Sequence, residues 1–243
     1  MRETFTKEYR DPTRSRAAVS HHRWLRDMGA PVPALLAASP DELVFGHVGG
    51  EHCRVADLPV VAELLGRLHA VAFERQLHEA RLDGSFRPPG APWLDSFVRP
   101  RLEWLDRRRR EGSISTGQHD TAVAAIAEAS DRPAAVYKDC NVRNVLVDGT
   151  DITLVDFDDL TLAPFGYDLA KLLVSAAMTY GPLTHSLYTR VLDSYRRSGE
   201  SAGGPESTCS WSDLGDWMEI HGLFTARYVG RNGYRYPWPE VRP

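Results

Sequence analysis

Cysteine is scarce in this sequence of 243 residues, and its three copies lie far apart. Cys53, Cys140 and Cys209 form no C-x-x-C pair and no Cys/His zinc spacing, so the sequence supports neither a disulfide framework nor a zinc site. No apolar run reaches the roughly 18 residues that a membrane span needs. The chain begins with charged residues, MRETFTKEYRDPTRS, and not with the apolar region of a signal peptide, which favours a cytoplasmic location.

The sequence also lacks a large excess of charge of either sign. The chain has 29 basic and 33 acidic residues, a net charge of −4, and 42% hydrophobic residues. The one basic block, 107–110, follows an apolar helical stretch and is interpreted as a solvated helix end. The composition predicts a globular protein of one or two domains with neither a nucleic acid nor a membrane as partner.

Hydrophobic periodicity and turn residues divide the chain into short strands and longer helices. The turn pair Asp148-Gly149 predicts a hairpin between the last two strands. The predicted strands are 3–9, 42–48, 134–138, 143–148 and 152–156. The predicted helices are 14–28, a helix that Asp57 caps, 94–111, 117–129, 167–180, 182–198 and 211–229.

Three polar residues follow the later strands at a spacing typical of phosphoryl transfer. Asp139 and Asn144 lie in YKDCNVRNVLV, and Asp156 lies in ITLVDFDDLTLAPFGYDLAKLL. Both carboxylates come just after apolar strands and are expected at one edge of a small sheet, where a divalent cation would relieve their repulsion. D-x-x-x-x-N followed by D-F-x is the skeleton of kinase catalytic and metal loops. The sequence therefore predicts a phosphotransferase.

With the downstream 168–170 segment (D-L-A), these motifs resemble the aminoglycoside phosphotransferase and choline kinase-like family. The resemblance is specific over 134–175 and weaker over 5–75. It implies an α+β, protein-kinase-like fold with two lobes. We expect a truncated small β lobe in residues 1–48, with a lysine strand, a helix and a hinge strand. Residues 49–243 should form a larger, mostly helical lobe that carries the catalytic and metal loops.

The resemblance also implies roles for individual residues. Asp139 would orient or deprotonate the acceptor hydroxyl, and Asn144 and Asp156 would hold Mg²⁺. Lys7 would contact the phosphates of ATP or GTP, and the backbone near Phe45 and His47 would face the adenine ring.

The roles of the neighbouring charged residues stay open. Lys138 is a second catalytic candidate that either stabilises the transferring phosphate or points to solvent. Asp158 and Asp159 either join the metal shell or lie in a solvated loop or helix cap. Asp168 either caps a helix or braces the catalytic loop.

Three departures from the family pattern concern the phosphate site. Six residues precede Lys7, where the family has two strands and a phosphate-covering loop, so we expect an abbreviated N-lobe that a protein partner could complete. Either the true start lies further upstream, or the nucleotide is held without that cover, or no nucleotide is bound. The helix after Lys7 has no acidic residue before Asp27 to pair with it, although His21 or His22 could approach it. The His-Gly before the catalytic aspartate is Tyr137-Lys138 here.

Three functions remain open at this point. The first is ATP-dependent phosphorylation of a small-molecule hydroxyl, on an aminoglycoside-like or other secondary metabolite, in antibiotic resistance or secondary metabolism. The second is phosphorylation of a peptide Ser or Thr in modified-peptide biosynthesis. The third is a catalytically silent binding or scaffolding subunit. Helical-lobe candidates for the acceptor pocket, whose acids would suit a polyamine, are Glu103, Asp106, Asp213, Asp216, Glu219, Trp104, Trp211, Trp217 and Tyr228.

Overall fold

The computed structural model of the chain describes residues 3–206 and 209–243. Within these residues it is an α+β protein with three small sheets. Its strands are β1 (Thr4–Glu8), β2 (Leu35–Ala38), β3 (Glu42–Gly46), β4 (Glu51–His52), β5 (Ala134–Tyr137), β6 (Val145–Asp148), β7 (Asp151–Leu154) and β8 (Thr161–Pro164). Its helices are α1 (Pro12–Asp27), α2 (Leu58–Ala72), α3 (Val98–Arg110), α4 (Thr116–Glu128), α5 (Tyr167–Tyr180), α6 (His185–Ser201), α7 (Trp211–Thr225) and α8 (Trp238–Val241). No helix in these ranges is both long enough and apolar enough to cross a membrane.

The N-terminal sheet is antiparallel, with the strand order β1-β3-β2, and places Lys7 opposite Leu43. Helix α1 begins where the Asp11 side chain accepts a hydrogen bond from the Thr13 amide, with proline at the first helical position. Its buried face contributes Trp24 and Leu25 to the core, which also contains Leu43 of the sheet. The sheet and α1 together fix the position of β1, the strand that carries Lys7.

Two further sheets form around the polar motifs. Strands β6 and β7 make the predicted hairpin, which turns at Gly149 with a φ of 59°, and β4 pairs with the outer side of β6. Strand β5 pairs with β8. The loop after β5 and the loop after β7 run side by side, because the Val155 amide donates a 2.9 Å hydrogen bond to the Asn144 carbonyl.

The helical part is built around α5, which is buried over most of its length. Helix α2 packs against α6 so closely that a Cβ at Gly66 would collide with the Tyr195 carbonyl. Between these helices runs a buried polar chain, in which the Tyr195 hydroxyl accepts from the Gly166 amide and lies 2.8 Å from His69 Nδ1. The other ring nitrogen of His69 lies 3.8 Å from the Asp168 carboxylate. Through Asp168, which bonds to the loop after β5, this chain connects the helices to that loop.

The predicted fold class is confirmed, and most helices lie where periodicity indicated. Helix α5 has the predicted limits, whereas α6 begins three residues late because Thr184 caps it by accepting from the Leu187 amide. Strands β2, β4 and β8 were not predicted. The division after residue 48 stays a prediction: β1 to β3 precede it, and β4 pairs with β6 beyond it.

Candidate active site

Asp139 lies at the tip of the loop after β5 in a left-handed conformation, with a φ of 61°. The Asp168 carboxylate holds this loop from below, accepting from the Cys140 amide at 2.9 Å and the Lys138 amide at 3.2 Å. Asn144 holds it from the side, since its Nδ2 donates to the Asp139 carbonyl at 3.0 Å. The Asp168 contacts are those of a brace, and the residue at the N-terminal end of α5 is Gly166.

The Asp139 carboxylate has two direct partners. Lys171 Nζ lies 2.9 Å from Asp139 Oδ1, and the Tyr137 hydroxyl donates to the same oxygen at 2.9 Å. Burial works to raise the pKa of Asp139, but the Lys171 charge and these hydrogen bonds outweigh it and lower the pKa. In return, the pKa of Lys171 is raised: burial opposes its charge, and Asp139 more than compensates. Asp139 is therefore ionised at neutral pH.

The loop after β7 presents Asp156, also in a left-handed conformation, with a φ of 57°. Lys7 reaches it from β1, with Nζ 2.8 Å from Asp156 Oδ1 and 2.9 Å from Asp158 Oδ2. The Tyr9 hydroxyl donates to Asp158 at 2.9 Å, and His21 Nδ1 lies 2.7 Å from the Asp158 carbonyl. Partial burial alone would lower the pKa of Lys7. The two carboxylates raise it by more, so the pKa lies above its ordinary value.

These contacts correct one expectation about Lys7. The acidic partner that α1 lacks is supplied by Asp156 and Asp158. His21 approaches only the Asp158 backbone, and His22 bonds to the Pro33 carbonyl.

Two cavities open on either side of this arrangement. The strand-side cavity has a volume of about 510 Å³ and is lined by Phe5, Lys7, Pro33, Phe45, Gly46, His47, Val48, His52, Arg143, Leu146, Val155, Asp156, Phe157 and Asp158. The helix-side cavity has a volume of about 560 Å³, and its lining includes Asp95, Arg101, Trp104, Tyr137, Asp139, Arg143, Asp159, Tyr167, Lys171, Phe224, Arg227, Tyr228 and Tyr234. The first contains Asp156 and the second contains Asp139.

Arg143 lines both cavities. Its guanidinium lies over the Tyr234 ring, 5.1 Å from the centroid, and its Nη1 is buried without a hydrogen-bond partner in the described chain. A buried, unpaired N–H group is costly, and an anionic oxygen satisfies it best. The residue lies where a group passing from one cavity to the other would meet it.

The prediction for Lys138 needs correction, and the prediction for Phe45 and His47 becomes narrower. Lys138 lines neither of these two cavities and does not point to solvent: it is 1% exposed, and its Nζ donates to the Val155 carbonyl at 3.2 Å. Phe45 and His47 do line the strand-side cavity, but the Gly46 and His47 amides already donate to the Ala34 and Glu3 carbonyls. Lys138 thus joins the two polar loops from inside, and those two amides cannot also donate to a nucleotide base.

The acidic candidates for an acceptor pocket lie elsewhere. Asp106 bonds to His119, Asp213 pairs with Arg132, and Glu219 accepts from Trp238. None of the five predicted acidic residues lines the helix-side cavity; of the predicted aromatic residues, Trp104 and Tyr228 do.

Sequence reasoning missed Lys171, Arg143 and Arg101. Lys171 could have been found, because it directly follows D-L-A on an apolar helix face, where a lysine needs a partner. Arg143 was visible between Asp139 and Asn144. Arg101 gave no local signal, because its position depends on how α3 packs.

The sequence model of the phosphotransferase enzyme family APH matches residues 6–206, and the chain belongs to this family of phosphotransferases. Among solved structures, an amicoumacin kinase in complex with AMP-PNP, Ca²⁺ and Ami is similar, with 13% identity, a TM-score of 0.64, and coverage of 93% of this chain and 73% of that chain.

A choline kinase from Cryptosporidium parvum Iowa II has 13% identity and a TM-score of 0.61, and the match covers 98% of this chain and 79% of that chain. A macrolide 2'-phosphotransferase from Brachybacterium faecium has 16% identity and a TM-score of 0.59, with coverage of 100% and 85%. At these identities the likeness concerns the fold. No curated protein sequence matches the chain.

Proposed function

We propose that the protein transfers the γ-phosphoryl group of ATP or GTP to a hydroxyl of a small molecule bound in the helix-side cavity. One observation carries this proposal: Asp139 and Asp156, from separate loops, both adopt left-handed conformations and line two cavities that share Arg143. Left-handed non-glycine residues cost roughly 1–3 kcal/mol each and cluster at functional sites. The cavity volume suits a small molecule better than an extended peptide.

In this proposal Asp139 orients the acceptor hydroxyl and takes its proton. The acceptor oxygen forms a bond to the γ-phosphorus, the bond from that phosphorus to the bridging oxygen breaks, and the nucleoside diphosphate leaves with the electron pair. The proton passes from Asp139 to solvent. Because Lys171 lowers the pKa of Asp139, the carboxylate is a weak base, and its main contribution is positioning.

Asn144 and Asp156 are proposed to hold Mg²⁺. Asn144 Nδ2 is anchored on the Asp139 carbonyl, which leaves its amide oxygen as a ligand, and the Asp156 side chain is 56% exposed. No group of three or more His, Cys, Asp and Glu residues suited to a metal occurs in ranges 3–206 and 209–243. One carboxylate and one amide fit Mg²⁺, which takes further oxygens from water and phosphate. When bound, the ion neutralises phosphate charge.

Lys7 and the apolar walls of the strand-side cavity are proposed to bind the nucleotide. The lysine ammonium faces that cavity beside Asp156, and Phe45, Phe157 and Leu146 offer apolar surface to a flat ring. Arg143 would contact the transferring phosphoryl group from the boundary with the helix-side cavity. An arginine in that position supplies charge stabilisation in other phosphoryl-transfer enzymes.

Nucleotide binding is tested first. In thermal unfolding, ATP with Mg²⁺ at about 100 times the dissociation constant should add roughly 2.7 kcal/mol of apparent stability to the wild type. Asp156→Ala should lose this effect, and the control Asp151→Ala, exposed in the β6–β7 hairpin, should keep it. A wild type that ignores millimolar ATP with Mg²⁺ would favour the silent-subunit hypothesis.

Turnover is tested second, by ADP release with a panel of hydroxyl acceptors. Asp139→Asn should lower kcat by about 10²- to 10⁴-fold while the ATP-dependent stabilisation stays intact. Near wild-type turnover of this variant would refute the role assigned to Asp139.

A further inference from the structure

The charges around the helix-side cavity do not suit a cationic acceptor. Its lining has four basic side chains, Arg101, Arg143, Lys171 and Arg227, against three carboxylates, Asp95, Asp139 and Asp159. Two of these carboxylates are already paired, Asp139 with Lys171 and Asp159 with Arg14. In the described part of the chain, the three arginines form no ion pair. The cavity therefore carries uncompensated positive charge.

Three tyrosines of the cavity already have arginine guanidinium groups over their rings. The Arg101 guanidinium lies 4.8 Å from the Tyr167 ring centroid and 5.5 Å from that of Tyr137. The Arg227 guanidinium lies 4.7 Å from the Tyr228 centroid. Aromatic rings recognise ammonium groups by attracting a cation to the ring face. Here the protein's own guanidinium groups take that role, so an ammonium ligand would meet like charges.

The Arg101 guanidinium is also preorganised to bind an anion. Its guanidinium stacks on Phe97 at 4.0 Å, and its Nη1 donates to the Phe97 carbonyl at 2.9 Å, which leaves its other N–H groups without protein acceptors in the described residues. A guanidinium fixed in this way can bind a carboxylate with two parallel hydrogen bonds at little entropic cost.

Tyr137 limits the distance between Arg101 and the base. The Arg101 guanidinium lies 5.5 Å from the Tyr137 ring centroid and the Tyr137 hydroxyl donates to Asp139, so both groups contact one tyrosine side chain. We propose that the acceptor is a hydroxyl compound with a carboxylate about one aromatic ring away from the hydroxyl, and that Arg101 and Arg227 bind that carboxylate. The inference rests on the proposed function and specifies the substrate class of the same site.

The test uses three probes of one shape and different charge: 3-(4-hydroxyphenyl)propanoate, tyrosol and tyramine. Their binding to the wild type is measured by isothermal titration calorimetry with Mg²⁺ and AMP-PNP present, and their turnover by ADP release. The anion should bind at least about tenfold more tightly than the cation, or about 1.4 kcal/mol, with the neutral compound between them. The polycation kanamycin and choline should bind no better than tyramine.

Variants with reversed charge test which residues produce the preference for the anionic probe. Arg101→Glu should reverse the order of anion and cation. Arg227→Glu, at an exposed position, should reduce the preference even if the Arg101 variant does not fold. Arg99→Glu is the matched control: it is exposed on α3, two residues from Arg101, and does not line the cavity. It should leave the preference unchanged.

The outcomes separate this inference from the proposed function. Tighter binding of tyramine or kanamycin than of the anion, equal binding of the three probes, or binding of none at millimolar concentration overturns the substrate class. Because probe binding requires no turnover, an anion preference in a protein that releases no ADP would support the class and contradict the activity.

Discussion

Arg143 joins the two halves of the site through a single side chain. Phosphoryl transfer spreads negative charge over the moving group, and the residue that contributes most is the one fixed where that charge develops. Arg143 lines both cavities, and its Nη1 lacks a partner in the described chain.

We expect Arg143→Gln to lower kcat by about 10³-fold, the low end for an arginine that stabilises phosphoryl transfer. Arg143→Lys should recover part of the loss, since lysine keeps the positive charge but lacks the planar set of N–H donors of a guanidinium. The measurement is steady-state ADP release, alongside ATP-dependent thermal stabilisation, which should change little. Arg81→Gln, an exposed arginine paired with Asp83 and Asp131, is the control. A loss confined to KM would contradict this role.

Lys171 controls the protonation of Asp139. Burial raises the pKa of Asp139, and Lys171 is the largest of the influences that lower it, so we expect this pKa to rise when Lys171 is removed. The wild type should show no acid limb from Asp139 between about pH 5 and pH 8, because the lowered pKa keeps the carboxylate ionised. In Lys171→Met, kcat/KM should fall as the pH is lowered through the raised pKa, and Lys171→Arg should restore the wild-type profile. Identical pH profiles in all three proteins would contradict this account.

At the scale of elements, the C-terminal segment 230–234 supports Arg143. Tyr234 is 3% exposed and lies beneath the guanidinium. Gly233 has a φ of 79°, and a Cβ there would come within 2.8 Å of Arg143 Nη1. Asn232, the third described non-glycine residue with positive φ, precedes it. The segment therefore packs against the Arg143 side chain and limits where its guanidinium can lie.

Two glycines of this segment form a matched pair for a test. Gly230 has a φ of 76° and open space where a methyl group would lie, whereas Gly233 faces Arg143. Alanine at either position should cost roughly 1 kcal/mol of unfolding free energy through backbone strain. Only Gly233→Ala should also lower kcat, because it displaces the guanidinium. Urea unfolding and ADP release measure the two effects, and equal kcat values would show that the segment does not position Arg143.

The elements differ in how well the sequence predicted them. Helix α5 was predicted with its correct limits, because its apolar residues recur over four turns between Gly166 and Gly181. Strands β4 and β8 are two and four residues long, and their partners lie far away in sequence, so no local pattern marked them. The short strands that close the site depend on long-range pairing, and a single sequence does not display it.

At the scale of the whole molecule, Lys7 connects the N-terminal sheet to the loop that carries Asp156. The connection spans 149 positions of sequence, and the Leu154 amide adds a 2.7 Å hydrogen bond to the Pro31 carbonyl. The sheet is thus attached to the loop that carries Asp156, the carboxylate we propose for the metal.

Lys7→Met should lower the unfolding free energy by roughly 1 kcal/mol, the upper range for a partly exposed ion pair. The raised pKa of Lys7 means that its contribution is complete below pH 10.5 and is lost only as the pH rises through the higher folded-state value. The difference from wild type in urea unfolding should therefore be constant from about pH 6 to pH 9. Arg14→Met, which breaks the exposed pair with Asp159, should cost much less. Equal losses would contradict the proposed connection.

The sequence predicted candidates for the site but not the contacts between them. Asp139, Asn144 and Asp156 could be picked out as candidates because their spacing is short and they lie in two loops that follow apolar strands. The partners of those residues, Lys171 and Asp158 among them, come together only when α5 and β1 pack against the loops. Lys138 was misjudged for the same reason, since nothing in the sequence says that its side chain turns inward.

The shared lining of the two cavities at Arg143 has a consequence for ligand design. A nucleoside linked covalently to a carboxylate-bearing phenol could occupy both cavities, with its linker passing Arg143. Tethering makes the second binding event intramolecular and can raise affinity by about 10²- to 10⁴-fold when the linker length matches the gap. Competition calorimetry with linkers of increasing length would measure the separation of the two compartments in solution, and a linker series without an optimum would mean that they do not communicate.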